Sequence, residues 1–164
     1  MNIIFLDVDG VLNSKEKLIK VYNETHTAHS GYSYPFDENC LNNLQILINK
    51  TESKLVIISS WRKSKEGKRN LVKVLEEYKL DKEVIGYTPI LNSPRSIEIK
   101  AYLNNCNLQR PNFIILDDES SDLGDLISYL VKTDSEVGLT SKNVEEAVIK
   151  LNRQSIISSD EISR

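Results

Sequence analysis

At 164 residues the chain is long enough for one domain with a single sizeable core and no covalent staples. Its 40% hydrophobic and 27% charged content is ordinary for a soluble globular protein, and a net charge of −3 provides no global field for nucleic acid, so a polyanion has to meet a local basic patch. Cys40 and Cys106 stand apart from each other and from any CxxC pattern, which suits a reducing compartment and core positions rather than a disulfide framework. The N-terminus has no basic leader and no run approaches the roughly 18 apolar residues of a membrane span, so the expectation is a cytoplasmic protein without a membrane partner.

The chain opens MNIIFLDVDGVLN. Ile3, Ile4, Phe5 and Leu6 form the continuous apolar run of a strand buried on both faces, and the run stops at Asp7 and Asp9, followed by Gly10. Clustered carboxylates at the end of a buried strand call for a counter-charge unless they sit in a solvated turn. Residues 13–35 read as a long polar stretch carrying Tyr22, His26, His29, Tyr32 and Tyr34. The two histidines lack a further ligand cluster, so a mobile flap over a site is the expected role rather than a zinc site.

Asp37 is a plausible N-cap, and Leu41, Leu44, Leu47 and Ile48 predict a helix to about residue 50. Leu55, Val56, Ile57 and Ile58 form a second buried strand that ends in Ser59, Ser60, Trp61 and Arg62. Residues 64–78 read as a helix with Leu71, Val74, Leu75 and Tyr78 inward, and with Lys63, Lys65, Lys68 and Arg69 near its start as a solvated face by default. A short strand at Val84 and Ile85 precedes a loop marked by Gly86 and Pro89. Residues 96–104 look helical, with Ile97, Ala101 and Tyr102 as packing residues and Arg95, Glu98 and Lys100 as candidates for chemistry.

Phe113, Ile114, Ile115 and Leu116 form another apolar run, ending in Asp117 and Asp118 with Asp122 close behind. A fifth strand is expected over residues 129–132 and a last helix over 142–152 after a Thr140 and Ser141 cap. The domain is expected to span residues 1–154, with 155–164 as a frayed tail.

Strands alternating with helices predict an α/β fold, a Rossmann-like three-layer α/β/α sandwich around a mainly parallel five-stranded sheet. In such sheets ligands bind beyond the carboxyl ends of the strands, which gathers Asp7, Asp9, Ser59, Asp118 and Asp122 at one edge. Converging carboxylates with a hydroxyl and basic side chains suit a hard cation such as Mg2+, which commonly also meets substrate phosphate. One aspartate can then act as nucleophile while a second moves protons.

DVDGVL at residues 7–12, an apolar strand ending in Ser59, a later basic residue and LDDESSD at residues 116–122 together resemble the haloacid dehalogenase (HAD) superfamily of phosphotransferases. SSWR at 59–62, GYTP at 86–89, Arg95 with Glu98 and Ile99, LDD, and GLT at 138–140 are similar to the HAD domain of Swiss Army Knife RNA repair proteins and its stand-alone bacterial and phage relatives, over roughly residues 3–151. That resemblance implies a phosphatase acting through an aspartyl-phosphate, with a nucleic-acid end or nucleotide phosphate as substrate. A small-metabolite phosphatase and a non-catalytic phospho-ligand binding module are the alternatives.

Carried onto this chain, Asp7 is the implied nucleophile, Asp9 the general acid/base and Ser59 the hydroxyl on the transferring phosphoryl group, with Ser60 as fallback. Ser60, Arg62 and Gly10 are implied substrate contacts. The implied Mg2+ site takes the Asp7 carboxylate, the Asp9 backbone carbonyl and Asp118, supported by Asp117 and Asp122. Either Lys100 or Arg95 is the implied phosphate-binding cation. Val11 stands where many relatives have threonine, a change that leaves the chemistry intact.

Segment 13–35 is too short for a large cap domain, so a capless or minimally capped, open site is expected, suited to a large substrate end. Tyr22, Tyr32, Tyr34 and Trp61 are candidates for stacking on a base, and Lys63, Lys65, Lys68 and Arg69 for following a backbone. Local packing of the aromatics and solvation of the lysines is the equal alternative.

Overall fold

In a computed structural model that describes residues 1–106, 108 and 111–162, with side chains described to residue 156, five strands form one sheet in the order β3-β2-β1-β4-β5. They are β1 (Asn2–Leu6), β2 (Lys54–Ile57), β3 (Val84–Tyr87), β4 (Asn112–Asp117) and β5 (Leu130–Lys132), and every neighbouring pair is parallel. The alternation of apolar runs with helices is the cause: each parallel strand needs a crossover, and both faces of the sheet end up covered.

The helices are α1 (Lys15–Thr25), α2 (Glu38–Thr51), α3 (Lys65–Glu77), α4 (Arg95–Asn105) and α5 (Ser141–Ile162). Ile4, Leu6, Leu55, Ile57, Ile114 and Leu116 face one side and pack in a single cluster with residues of α2, α3 and α5. Alternate residues Ile3, Phe5, Val56, Phe113 and Ile115 face the other side, against Ile99 of α4 and Leu123, Leu126 and Leu130. The result is the expected three-layer α/β/α sandwich. No helix among the described residues is long and apolar enough to cross a membrane.

Local chemistry sets the helix starts. Asp37 accepts from the Asn39 N–H and caps α2 as expected, and Ser64, the expected first residue of the next helix, accepts from the N–H groups of Glu66 and Gly67 and caps α3. Four expectations need correction. Segment 13–35 is not a polar stretch without regular structure, because Ser14 caps α1, a helix with no buried residue. Gly86 and Tyr87 belong to β3 rather than to a loop; a Cβ at Gly86 would lie 2.7 Å from the Tyr102 hydroxyl, so the glycine makes room for a ring lying on the strand. On α4, Ile99 is fully buried while Ile97 is 51% exposed, so Ile99 takes the packing place expected of Ile97, beside Tyr102, which packs on the core as expected. Finally, α5 continues past Asn152 to Ile162, into the segment expected to fray.

Candidate active site

The parallel ladder carries one residue past each strand end. The Asp7 N–H donates to the Leu116 carbonyl, Ile58 to Leu6, Thr88 to Ile57 and Thr133 to Asp117. Register therefore sets Asp7 beside Asp117 at the carboxyl edge, with Ser59 just beyond the neighbouring strand. Oxygens from Asp7, Asp117 and Asp118 all lie within 4.8 Å of one another, the group among the described residues that could hold a metal ion. An all-carboxylate oxygen set suits a hard divalent cation, so these residues fit magnesium.

Arg95, at the start of α4, supplies the cation. Its Nη1 lies 3.3 Å from Asp7 Oδ2 and also donates to Asp117 Oδ2. Burial opposes its charge, but Asp7 and Asp117 outweigh that and raise its pKa. Burial and the neighbouring Asp7 charge push the pKa of Asp117 up, against the pull of Arg95, and they push that of Asp118 up as well. Asp117 is wholly buried, and its Oδ1 accepts from the Glu119 N–H, so its hydrogen-bonding capacity is largely spent on holding the site together.

Asp9 is held apart from this group. Its Oδ1 accepts from Asn13 Nδ2 at 2.8 Å and its Oδ2 from the Trp61 indole N–H at 3.0 Å. Asn13 also accepts from the Gly10 N–H, which closes the turn after the strand. Gly10 has φ +73°, and a Cβ there would fall 2.4 Å from Asp118 Oδ2. That position therefore needs glycine both for its backbone and for the approach of Asp118. The Gly10 carbonyl accepts from Thr133 Oγ1 at 2.7 Å, so its polar backbone groups face the scaffold rather than a substrate.

Ser59 is fully buried and caps the tight turn Ser60–Lys63 by accepting from the Trp61 N–H at 3.4 Å. Ser60 is exposed and borders a polar cavity of about 100 Å3 together with Lys63, Ser93 and Arg95.

Three of the expected site residues stand elsewhere. Lys100 pairs with the exposed Asp125, so Arg95, not Lys100, is the basic residue beside Asp7. Arg62 does not face a substrate. It is 3% exposed, and its guanidinium donates to the carbonyls of Ile58, Ser59, Thr88 and Pro89 and to Glu98. Asp122 accepts from the Arg95 N–H at 3.1 Å and so fastens the start of α4, outside the three-carboxylate group.

Trp61 is also corrected as a stacking candidate: it is 1% exposed, with Tyr32 and Phe36 edge-on against it. Its role beside Asp9, and that of Asn13, escaped the sequence reading. The signals were there, because a buried indole N–H needs an acceptor and Asn13 follows Asp9 at a spacing that one helical turn would close. His26 caps the end of α1, and neither histidine joins a metal group among the described residues. Lys68 lies over the Tyr87 ring, 4.9 Å from its centroid, and the other basic residues near α3 are exposed.

Comparison with known families places the chain among the HAD phosphoryl-transfer hydrolases. It belongs to the family described as the HAD domain in Swiss Army Knife RNA repair proteins, whose match covers residues 3–144. No curated protein and no solved structure matches the chain.

Proposed function

We propose that the protein is a magnesium-dependent phosphatase that works through an aspartyl-phosphate on Asp7 and acts on the phosphate of a nucleic-acid end or a nucleotide. The observation that carries this reading is the gathering of Asp7, Asp117 and Asp118 at adjoining strand ends around a single guanidinium, Arg95. The family's description supports the nucleic-acid part.

Asp7 and Asp118, with Asp117 behind them, would hold the magnesium ion. When bound, it supplies positive charge against the three carboxylates and against the phosphate oxygens. Arg95 orients and neutralises the phosphoryl oxygens from the α4 side, and Ser59, whose hydroxyl hydrogen has no acceptor among the described residues, donates to one of them.

A carboxylate oxygen of Asp7 attacks phosphorus as the bond to the leaving oxygen breaks, and Asp9 gives its proton to that oxygen. Water then attacks the phosphorus of the aspartyl-phosphate while Asp9 takes a proton from it, which frees Asp7 and yields inorganic phosphate. Asn13 and Trp61 hold the Asp9 carboxylate in one orientation for both proton transfers.

The test is phosphate release from end-phosphorylated oligonucleotides, mononucleotides, sugar phosphates and an aryl phosphate, with magnesium and with chelator. Release that requires magnesium and is greatest with oligonucleotides or nucleotides is the expected result. No release from any of them overturns the enzyme reading, and a preference for sugar phosphates replaces it with a small-metabolite phosphatase.

A further inference from the structure

We propose that the cavity beside Asp9 is the leaving-group site and takes one terminal nucleoside, with Tyr34 and Leu18 as its specificity-determining residues. This rests on the phosphatase reading above. The cavity measures about 210 Å3, with Asp9 and Asp118 on one side and Leu18, Tyr34 and Pro35 among its walls. A group that protonates the leaving oxygen must come within hydrogen-bond reach of it. Whatever that oxygen carries therefore fills the space next to Asp9.

Size, polarity and charge narrow the occupant. Ligand pockets for drug-sized molecules run from roughly 300 to 1,000 Å3, so this one admits a single ring system with its sugar edge rather than a longer chain. A free sugar, polar on every side, needs partners all round. Here the side chains of Leu18, Tyr34 and Pro35 present apolar surface, Asn13 and Ser14 are already engaged, the Asp118 carboxylate belongs to the metal group, and the hydroxyls of Tyr34 and Ser135 make no hydrogen bond with a described residue. A nucleobase matches that mixture: a flat apolar face and a polar rim.

Charge argues against a second phosphate here. Lys15, the one cation among the described residues on the cavity's border, is already paired with Glu136 at 2.6 Å. The remainder of an oligonucleotide then leaves the cavity over the exposed surface of α1. Leu18 and Tyr34 both come from segment 13–35, whose helix α1 has no buried residue; this short insertion thus acts as the wall of a subsite without being a cap domain.

The experiment compares kcat/KM for a nucleoside monophosphate with that for glycerol phosphate in the native protein, Tyr34→Ala, Tyr34→Phe and Leu18→Trp, with a melting curve for each. The expected result is a nucleotide preference that falls about tenfold in Tyr34→Ala, the equivalent of about 1.4 kcal/mol and within the range for one base–aromatic contact. Tyr34→Phe keeps most of the preference, and Leu18→Trp loses it by filling the cavity. Because α1 buries no residue, Leu18→Trp decides the matter if Tyr34→Ala fails to fold. An unchanged nucleotide preference in a folded Leu18→Trp protein overturns the subsite and leaves the phosphatase reading intact. Absence of turnover on both substrates by the native protein overturns both.

Discussion

Glu98→Gln tests how the site's scaffold is held. Arg62 and Glu98 form an ion pair whose side chains are 3% and 7% exposed. The Arg62 guanidinium cannot swing out to water, because it also donates to the carbonyls of Ile58, Ser59, Thr88 and Pro89. Glu98 in turn accepts from the Leu91 N–H at 2.9 Å. One side chain thus ties the end of β2, the segment after β3 and α4 together, directly behind Ser59 and Arg95.

Glutamine keeps the shape of Glu98 but leaves a buried positive charge uncompensated, a loss of about 3–5 kcal/mol. For a chain of this size that corresponds to a melting temperature lower by roughly 6–20 °C. Urea unfolding followed by the fluorescence of Trp61, the chain's single tryptophan, measures the change directly. Lys15→Ala is the control: it removes an ion pair whose partners are 59% and 53% exposed, and the unfolding midpoint stays where it was. Replacing Arg62 and Glu98 together with apolar residues does not restore stability, because the carbonyls of Ile58, Thr88 and Pro89 lose their donor, while that of Ser59 keeps only the backbone N–H of residue 62. A Glu98→Gln midpoint matching the native one would refute the idea that this pair carries the scaffold.

The metal group has a signature of its own. Magnesium at a hundredfold excess over its dissociation constant stabilises the fold by about 2.7 kcal/mol, raising the melting temperature by roughly 5–11 °C. Asp118→Asn raises the melting temperature in chelator, by relieving repulsion, and loses the magnesium response; a response equal to the native one would remove Asp118 from the site. Arg95→Ala lowers kcat by about 10²–10³-fold while Lys100→Ala leaves it unchanged, and the reverse order would return Lys100 to the site. Cys40 is fully buried, and burial pushes its thiol pKa up to about 12. A thiol reagent at pH 8 therefore leaves Cys40 unlabelled in the folded protein and labels it after denaturation, which mass spectrometry of the peptides reads out.

Much of this architecture was legible because the physics is local. Four-residue apolar runs ending in acids or serine mark buried parallel strands, and Asp37 marks a helix start by the hydrogen bond that its side chain accepts. Asp7 and Asp118 could be placed together because a parallel sheet aligns its carboxyl ends, whereas Asp117, expected only as a supporting residue, joins the group in place of Asp9 and Asp122. What escaped depends on contacts between distant segments. Helix α1 has no apolar stripe turned to the core, so periodicity gave no sign of it, although Ser14 could have been read as its cap. Gly86 looks like a loop residue until the Tyr102 ring is laid on it.

The choice between Arg95 and Lys100 turns on which end of α4 meets the sheet. Asp122 decides that by accepting from the Arg95 N–H, and the Asp122 carbonyl accepts from the Ser96 N–H. Arg62 misled for a related reason. An arginine beside a strand end looks like a phosphate ligand, and only the arrangement of the surrounding carbonyls shows that its donors are spent.

The proposed passage of phosphate through Asp7 has a direct test. Rapid acid quenching of the protein with a labelled phosphate ester and magnesium measures it most directly. The expected result is protein-bound label with the lability of an acyl phosphate, located on the peptide that contains Asp7, absent in Asp7→Asn and longer-lived in Asp9→Asn, where water is no longer activated. Turnover without label, or label that persists in Asp7→Asn, would contradict it.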